Sequence, residues 1–430
     1  MLKEIPYGDS SLPLEYDPQR TKILAVDELS ALTDVEIGEA FDNPIDSPPL
    51  DEIVRPGENV LIVVPDATRR AAAGQIVNLL VRRLIAGGTL PYDISIIFAT
   101  GIHRPATPEE KAEIVTPFIA QRVKMLDHAP RDLMRIAGVG DQNRLVQVGE
   151  FRDGLPIELD RVLLDYDRTI IVGGVNFHYF AGFGGGRKLI CPGLASAATT
   201  AATHRLAFDF EKLDRAVGVE TGRLDGNPVH EAFVEAVKHA PPSFSINTIV
   251  NSDGVAGAVY CGDWQTAHRA ACEEYAASHT IKIPEPRPLV IVSAGGMPYD
   301  INLIQAHKAL DAAAAACEPG GTIVLTAECR DGTGGSDFVN WFSSADSTEL
   351  AENLARGYTV NGQTAWSLLK KAEKFDVRLV STLDSDAAAA MRLTRFPTLE
   401  TAVAGIDRPA YAIPQGSRVK ICSDLSAKEP

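Results

Sequence analysis

The stretch Thr169-Ile-Ile-Val-Gly-Gly-Val-Asn-Phe-His-Tyr-Phe-Ala-Gly-Phe-Gly-Gly-Gly-Arg-Lys188 decides how the rest of the chain is read. Its opening is a short apolar run, rich in β-branched residues and stopped by Gly173-Gly174, which is the pattern of a strand buried on both faces. Polar groups follow at once, so His178 and Lys188 emerge past the carboxyl end of a strand, where open α/β sheets bind ligands. Glycines at 173, 174, 182, 184, 185 and 186 strip side chains from around His178 and Lys188, which lets backbone come close to a ligand. A phosphate cradle is the natural comparison, yet the strict patterns fail. Lys188 is followed by Leu189 rather than Ser or Thr, and the dinucleotide fingerprint begun at Gly182-x-Gly184 needs a glycine where Arg187 stands.

The same strand-then-polar pattern recurs upstream. Asn59-Val-Leu-Ile-Val-Val64 runs into Pro65-Asp-Ala-Thr-Arg-Arg70, and Tyr92-Asp-Ile-Ser-Ile-Ile-Phe98 into Ala99-Thr-Gly-Ile-His-Arg104. Between them Ile76, Leu79, Leu80, Leu84 and Ile85 keep helical spacing up to Gly87-Gly88, and a second helix is expected from Pro108 to about Ile119. Strands alternating with helices predict a parallel sheet with right-handed crossovers, so the strand ends at 64, 98 and 172 face one way. Asp66, Arg69, His103, His178 and Lys188 can therefore converge. Farther on, Ser245–Val250 and Val255–Tyr260 flank Asn-Ser-Asp-Gly and read as a hairpin.

A chain of 430 residues exceeds one typical core. The fold class expected is α/β: two α/β domains with mainly parallel sheets and the active site in the cleft between them. The first spans 1–263. Residues 264–287 supply an alanine-rich helix and a stiff proline-containing connection, and 288–407 form a smaller second domain that starts at Leu289-Val-Ile-Val292. Residues 408–430 are a closing segment with a late strand at Val419–Cys422; propensity leaves open whether it returns to the first domain.

Composition narrows the function. Lys and Arg number 41 against 57 Asp and Glu, a net charge of −16, which disfavours nucleic acid as a partner and requires a local cationic pocket for any anionic substrate. No apolar run approaches the ~20 residues that span a bilayer, so no membrane role is expected. The N-terminus lacks a basic region followed by an apolar one, so cytoplasmic residence is the default expectation. Six cysteines without a C-x-x-C pair argue against a disulfide framework and a structural zinc site. No H-x-x-x-H spacing sets two imidazoles on one helical face, but one histidine together with ligands from an organic cofactor could still hold nickel, copper or zinc.

Each candidate also has a bland reading. His103 could cap the helix after it, His178 and His204 could be structural, and Lys188 could be a surface lysine. Arg69 could pair with a surface carboxylate, and Gln305 and Lys308 could share a solvated helix face. Their common address at strand ends favours the functional reading.

With those residues in view, the chain resembles the nickel-pincer-nucleotide-dependent lactate racemase family nearly end to end. The resemblance implies that Lys188, in Phe-Gly-Gly-Gly-Arg-Lys, carries the nickel-pincer nucleotide (pyridinium-3-thioamide-5-thiocarboxylic acid mononucleotide) through a thioamide bond. It implies that His204 coordinates the nickel, and that Gly184, Gly185, Gly186, Arg187, Asp66 and Thr68 contact the cofactor. His103 and His178 resemble the paired acid/base histidines. Arg69, of Asp66-Ala-Thr-Arg69, would grip the substrate carboxylate, with Gln305, Lys308 and Trp366 as further substrate contacts. Cofactor-synthesis enzymes are implied as partners, and homo-oligomerisation is left open.

The implied reaction inverts C2 of a 2-hydroxy acid through a 2-keto acid, with hydride leaving one face and returning to the other. A C–H bond of this kind needs a hydride-accepting cofactor, and the hydroxyl proton needs a base on each side. Imidazole suits both roles near neutrality. Two departures fall on the substrate side: Ala67 stands where the family often has histidine, and Ile304 where lactate racemase has tyrosine. The acid is therefore open, a sugar-acid C2 epimerase with the same cofactor being the first alternative. A catalytically idle cofactor or nucleotide carrier is the second, though such a carrier would need neither His103 nor His178.

Overall fold

The computed structural model describes residues 1–131 and 144–423. Two six-stranded sheets organise it. In the first, the strands lie in the order Ala256–Gly262, Phe244–Val250, Arg168–Gly174, Val60–Pro65, Ile94–Ala99, Lys124–Asp127. All neighbours pair parallel except Ala256–Gly262, which closes one edge as the antiparallel arm of the expected hairpin.

Val60–Pro65 shows why the apolar runs behave as they do. Ile62 pairs with Ile96 on one side and Ile170 on the other, and side chains alternate between the two faces. Val60, Ile62 and Val64 pack with Ile76, Val77, Leu80 and Leu84 of the helix Ala73–Ala86. Leu61 and Val63 pack instead with Phe180, Leu189, Leu194 and Phe233, so the glycine-rich stretch is itself part of the second layer. Each such side chain stabilises by roughly 1.5–3 kcal/mol when fully buried. The order of the strands reverses between Val60–Pro65 and Arg168–Gly174, which opens a crevice at their carboxyl ends.

The second sheet, all parallel, has the order Thr394–Phe396, Asp376–Val380, Cys317–Thr326, Arg287–Ser293, Ala410–Ile413, Thr21–Ile23. Here three expectations change. Thr21–Ile23 joins this sheet rather than the first, and the hairpin Leu2–Tyr7 with Ser10–Glu15 adds Ile5 and Leu14 to the core around Leu289 and Ile291. An open sheet edge pairs with whichever strand reaches it, whatever the sequence separation.

The expected linker is largely regular: the helix Thr266–His279 is followed by Thr280–Ile283, a strand parallel to Lys420–Ser423. Pro288 is accommodated where the ladder register shifts between Arg287 and Leu289. The closing segment divides. Ala410–Ile413 lies inside the second sheet, and Arg418 then reaches the first domain, where its Nη2 donates to the Val250 carbonyl at 2.7 Å. The helix expected to about Ile119 breaks at Thr116, whose φ is 78°, because the residue before Pro117 disfavours helical backbone.

Candidate active site

A cavity of about 800 Å³ lies between the two sheets, lined from the first by residues 65–69, 99–104 and the 173–193 loop, and from the second by 299–308 and 331–336. Asp66, Thr68, Arg69, His103, His178, Gly184, Gly185, Lys188, His204, Gln305 and Lys308 all line it. The convergence expected from strand ends is therefore present.

Asp66 leaves the end of Val60–Pro65 and is 4 % exposed. Its Oδ2 lies 2.7 Å from His103 Nδ1, and its Oδ1 accepts from the Thr68 hydroxyl at 2.7 Å. Burial pushes the carboxyl up, but the His103 charge and hydrogen bond, with Arg69 and Thr68, outweigh it and hold the group at about 2. A carboxylate on Nδ1 fixes the ring and leaves Nε2 as the free nitrogen.

His178 is set differently. It is buried, its ring stacks on Tyr179 and meets Phe180 edge to face, and its Nδ1 accepts the Ala181 N–H at 3.3 Å. Burial, then the charges of Lys188, Lys308 and Arg69, hold it well below the ordinary imidazole range. It is a neutral ring in an apolar wall.

His204 ends the helix Ala197–His204. Its Nδ1 donates to the Thr200 carbonyl at 2.8 Å, so the Nε2 lone pair is free, the arrangement typical of a metal-binding imidazole. Burial, then Lys188, lowers it to about 3. Among the described residues no three His, Cys, Asp or Glu side chains cluster as a metal site, so a metal at His204 would need its other ligands from an organic group. Lys188 supplies a matching feature. Its ammonium has no hydrogen bond or ion pair among the described residues and lies 5.5 Å over the rings of both Phe180 and Phe233. Burial and neighbouring cations lower it well below the lysine range, and the amine faces the cavity.

Across the cleft, Gln305 Oε1 accepts from Arg69 Nη1 at 3.0 Å and from Lys308 Nζ at 2.7 Å. One amide oxygen thus gathers the Arg69 guanidinium and the Lys308 amine from two sheets into one recess, where burial, then Arg69, lowers Lys308 well below the lysine range.

Three expected contacts do not line the cavity. On the helix Val360–Lys374, Val360, Asn361 and Thr364 form the cavity face, and Trp366 lies well round the helix from them. Trp366 packs edge to face on Phe208 at 5.0 Å within the second core. Arg187 turns inward from the 3₁₀ turn Gly186–Leu189, where successive side chains diverge by about 120°. Gly186, with φ 51°, presses on His268, 2.4 Å from where its Cβ would stand. Gly174 is similarly needed for protein packing, since a Cβ there would lie 2.1 Å from the Arg70 carbonyl. The glycines serve the fold as much as any ligand. Thr200 and His307 line the cavity without a motif that could have singled them out.

Comparisons with known proteins give the family. Residues 7–214 match the lactate racemase N-terminal domain and residues 284–419 the lactate racemase C-terminal domain. The chain is 29 % identical to the lactate racemase of Lactiplantibacillus plantarum, over 98 % of this chain and 97 % of that one. It is also 29 % identical to the lactate racemase of Thermoanaerobacterium thermosaccharolyticum, over 82 % of this chain and 81 % of that one. The solved apoprotein of the latter superposes with a TM-score of 0.84 at 27 % identity, covering 98 % of this chain and 100 % of that one. A Thermotoga maritima protein of known structure shares the fold, with a TM-score of 0.72 at 20 % identity over 92 % of this chain and 100 % of that one.

Proposed function

This chain belongs to the lactate racemase family, and from that premise we propose that it inverts C2 of a small 2-hydroxy acid with a nickel-pincer nucleotide held at Lys188. The observation that carries the reading is the sharing of one cavity by two differently held histidines and the recess in which Gln305 joins Arg69 to Lys308.

The residues present fit such a group. Lys188 offers a buried amine, held well below the lysine range, for covalent attachment, and His204 Nε2 offers a single lone pair for the metal. Gly184 and Gly185 bring backbone to the same wall, and Asp66 and Thr68 face it from the neighbouring strand end. Bound there, the nucleotide would supply a hydride acceptor for the C2 hydrogen, which no side chain in the cavity provides.

The chain's own groups account for the rest. Arg69 and Lys308 take the carboxylate, Arg69 through its planar fork, and exchange their shared bond to Gln305 for a charged partner. Fixing the carboxylate fixes C2 while the carbon becomes planar. His103 and His178 hold or move the proton of the C2 oxygen. The Asp66 carboxylate holds the His103 ring through Nδ1, whereas burial first, then Lys188, Lys308 and Arg69, opposes positive charge on His178. The two enantiomers thus meet differently held bases. The wall of Tyr179 and Phe180 excludes water from a planar intermediate. Ile304 lines the cavity beside Gln305, so the acid need not be lactate.

The test is direct. Protein co-produced with cofactor-synthesis enzymes should carry nickel and a mass adduct on the peptide containing Lys188, and should interconvert enantiomers of at least one acid in a panel from lactate to C6 sugar acids. Lys188→Ala should lose both adduct and turnover. Nickel-loaded, adduct-bearing protein that racemises or epimerises no member of the panel would overturn the reading.

A further inference from the structure

The two histidines of the cavity are held in different ways. Asp66 fixes His103 at 2.7 Å, within the half built on the first sheet. His178 has one hydrogen bond among the described residues, from the Ala181 N–H at 3.3 Å. The second torsion of a histidine side chain is intrinsically soft, so the aim of this ring rests on the rings around it. Phe180 meets it edge to face at 4.4 Å and packs on Leu61 and Val63 of the first sheet. Tyr179 stacks on it, with centroids 5.5 Å and planes 16° apart. Tyr179 also reaches across the cleft: the His307 ring meets it edge to face at 5.2 Å, and its hydroxyl lies 3.4 Å from Thr364 Oγ1. Thr364 Oγ1 donates to the Val360 carbonyl at 3.2 Å, which leaves the phenol as donor in that pair. A buried phenol needs such a partner.

His307 stands between Gln305 and Lys308, the two residues that the second sheet's half brings to the recess with Arg69. Its Nδ1 donates to the Ile304 carbonyl at 2.6 Å, which ties the ring to the short helix Leu303–Ala306. We propose that Tyr179 is a positioning residue that couples this recess to His178. A shift of the helix carrying Gln305 reaches the His178 ring through His307 and the Tyr179 ring, which Thr364 holds in place by its hydroxyl. Close packing leaves no slack between stacked rings, so one cannot move without the other. For the reaction proposed above, on which this role rests, the ring that handles the proton of the C2 oxygen is aimed by the same element that grips the carboxylate.

The phenol hydroxyl separates coupling from mere packing, because Tyr179→Phe keeps the ring and Thr364→Val keeps the shape. In the unloaded full chain made with isotopically labelled histidine, the Cε1–Hε1 NMR signals of His178 and His103 are assigned by His178→Gln and His103→Gln. Tyr179→Phe and Thr364→Val should each move the His178 signal and leave that of His103 in place. Thr364→Ser, which keeps the hydroxyl, should leave both where they are in the parent. Thr364→Val added to Tyr179→Phe should move the His178 signal no further, since the shared bond is already gone. In the loaded enzyme both single variants should lower kcat about 2- to 10-fold, the net worth of one hydrogen bond, with KM unchanged. A His178 signal that Thr364→Val leaves in place, or moves equally with and without the phenol hydroxyl, overturns the proposal. So does a parental kcat in both folded variants of an active enzyme. A loaded parent that inverts no acid would instead remove the racemase reading, with the NMR result still deciding the coupling.

Discussion

The two sheets have nearly the same plan, and each reverses its strand order once, yet only one of the two crevices opens into the cavity lined by the candidate catalytic residues. In the first, between Val60–Pro65 and Arg168–Gly174, the emerging loops carry Asp66, Arg69, His178 and Lys188 into a cavity. In the second, between Arg287–Ser293 and Ala410–Ile413, the chain's own amino-terminal hairpin occupies the equivalent place. Ser293 Oγ donates to the Pro6 carbonyl, Met297 N–H donates to the Gly8 carbonyl at 2.9 Å, and Asp300 Oδ2 accepts from the Gly8 N–H at 2.7 Å. A reversal in strand order makes a crevice; what fills it decides whether a ligand can. The second sheet contributes instead through helices at the rim, where Gln305 and Lys308 lean across toward the first.

The largest effect that would break this contrast is on turnover. Changing His103 or His178 to Ala should slow interconversion about 100- to 10,000-fold in both directions, the usual worth of a general acid or base. Nickel content and melting temperature should stay near those of the parent. Nearly parental rates in either folded, nickel-loaded variant would remove that histidine from the mechanism.

Acid should separate the crevices next. His178 and His204 are held below the ordinary value of 6.5 in the fold, the latter at about 3, so unfolded chains bind more protons than folded ones below that pH. Their contribution to stability is present above 6.5 and is lost as pH falls, each such group adding about 1.4 kcal/mol per pH unit within its window. Hydrogen exchange on going from pH 7 to pH 5 should therefore expose the 174–204 segment before the 294–300 turn. Loss of protection in the opposite order would show that the histidines do not govern acid stability here.

The smallest change addresses the stopper. Asp300→Ala leaves the N–H groups of Gly8 and Glu328 without their acceptor, which should cost about 1–3 kcal/mol for each buried donor left unsatisfied. Stability should fall and the amino-terminal hairpin should exchange faster, while KM and kcat are preserved. A rate defect without a stability defect would mean that the second crevice takes part in the reaction.

The local pattern of residues determined much of this protein. Apolar runs such as Asn59–Val64 and Thr169–Val172 have to be buried strands, because nothing else hides consecutive β-branched side chains on both faces while pairing every backbone group. Alternation with helices makes the sheet parallel, and parallel strands deliver their carboxyl ends to one edge, so Asp66, His103, His178 and Lys188 were legible as neighbours. The family likeness added Lys188 and His204 as expected site residues. Only the tertiary structure decided the rest, because it turns on rotation and on distant partners. Trp366 and Thr364 share a helix but not a face, and Arg187 and Lys188 share a turn but point apart. Thr21–Ile23 crosses to the second sheet because Ala410–Ile413, nearly four hundred residues later, presents an open edge to pair with. Asp66 fixes His103, and Gln305 joins Arg69 to Lys308, through hydrogen bonds that no local pattern encodes, since each partner comes from a separate element brought together only by burial of the cores beneath.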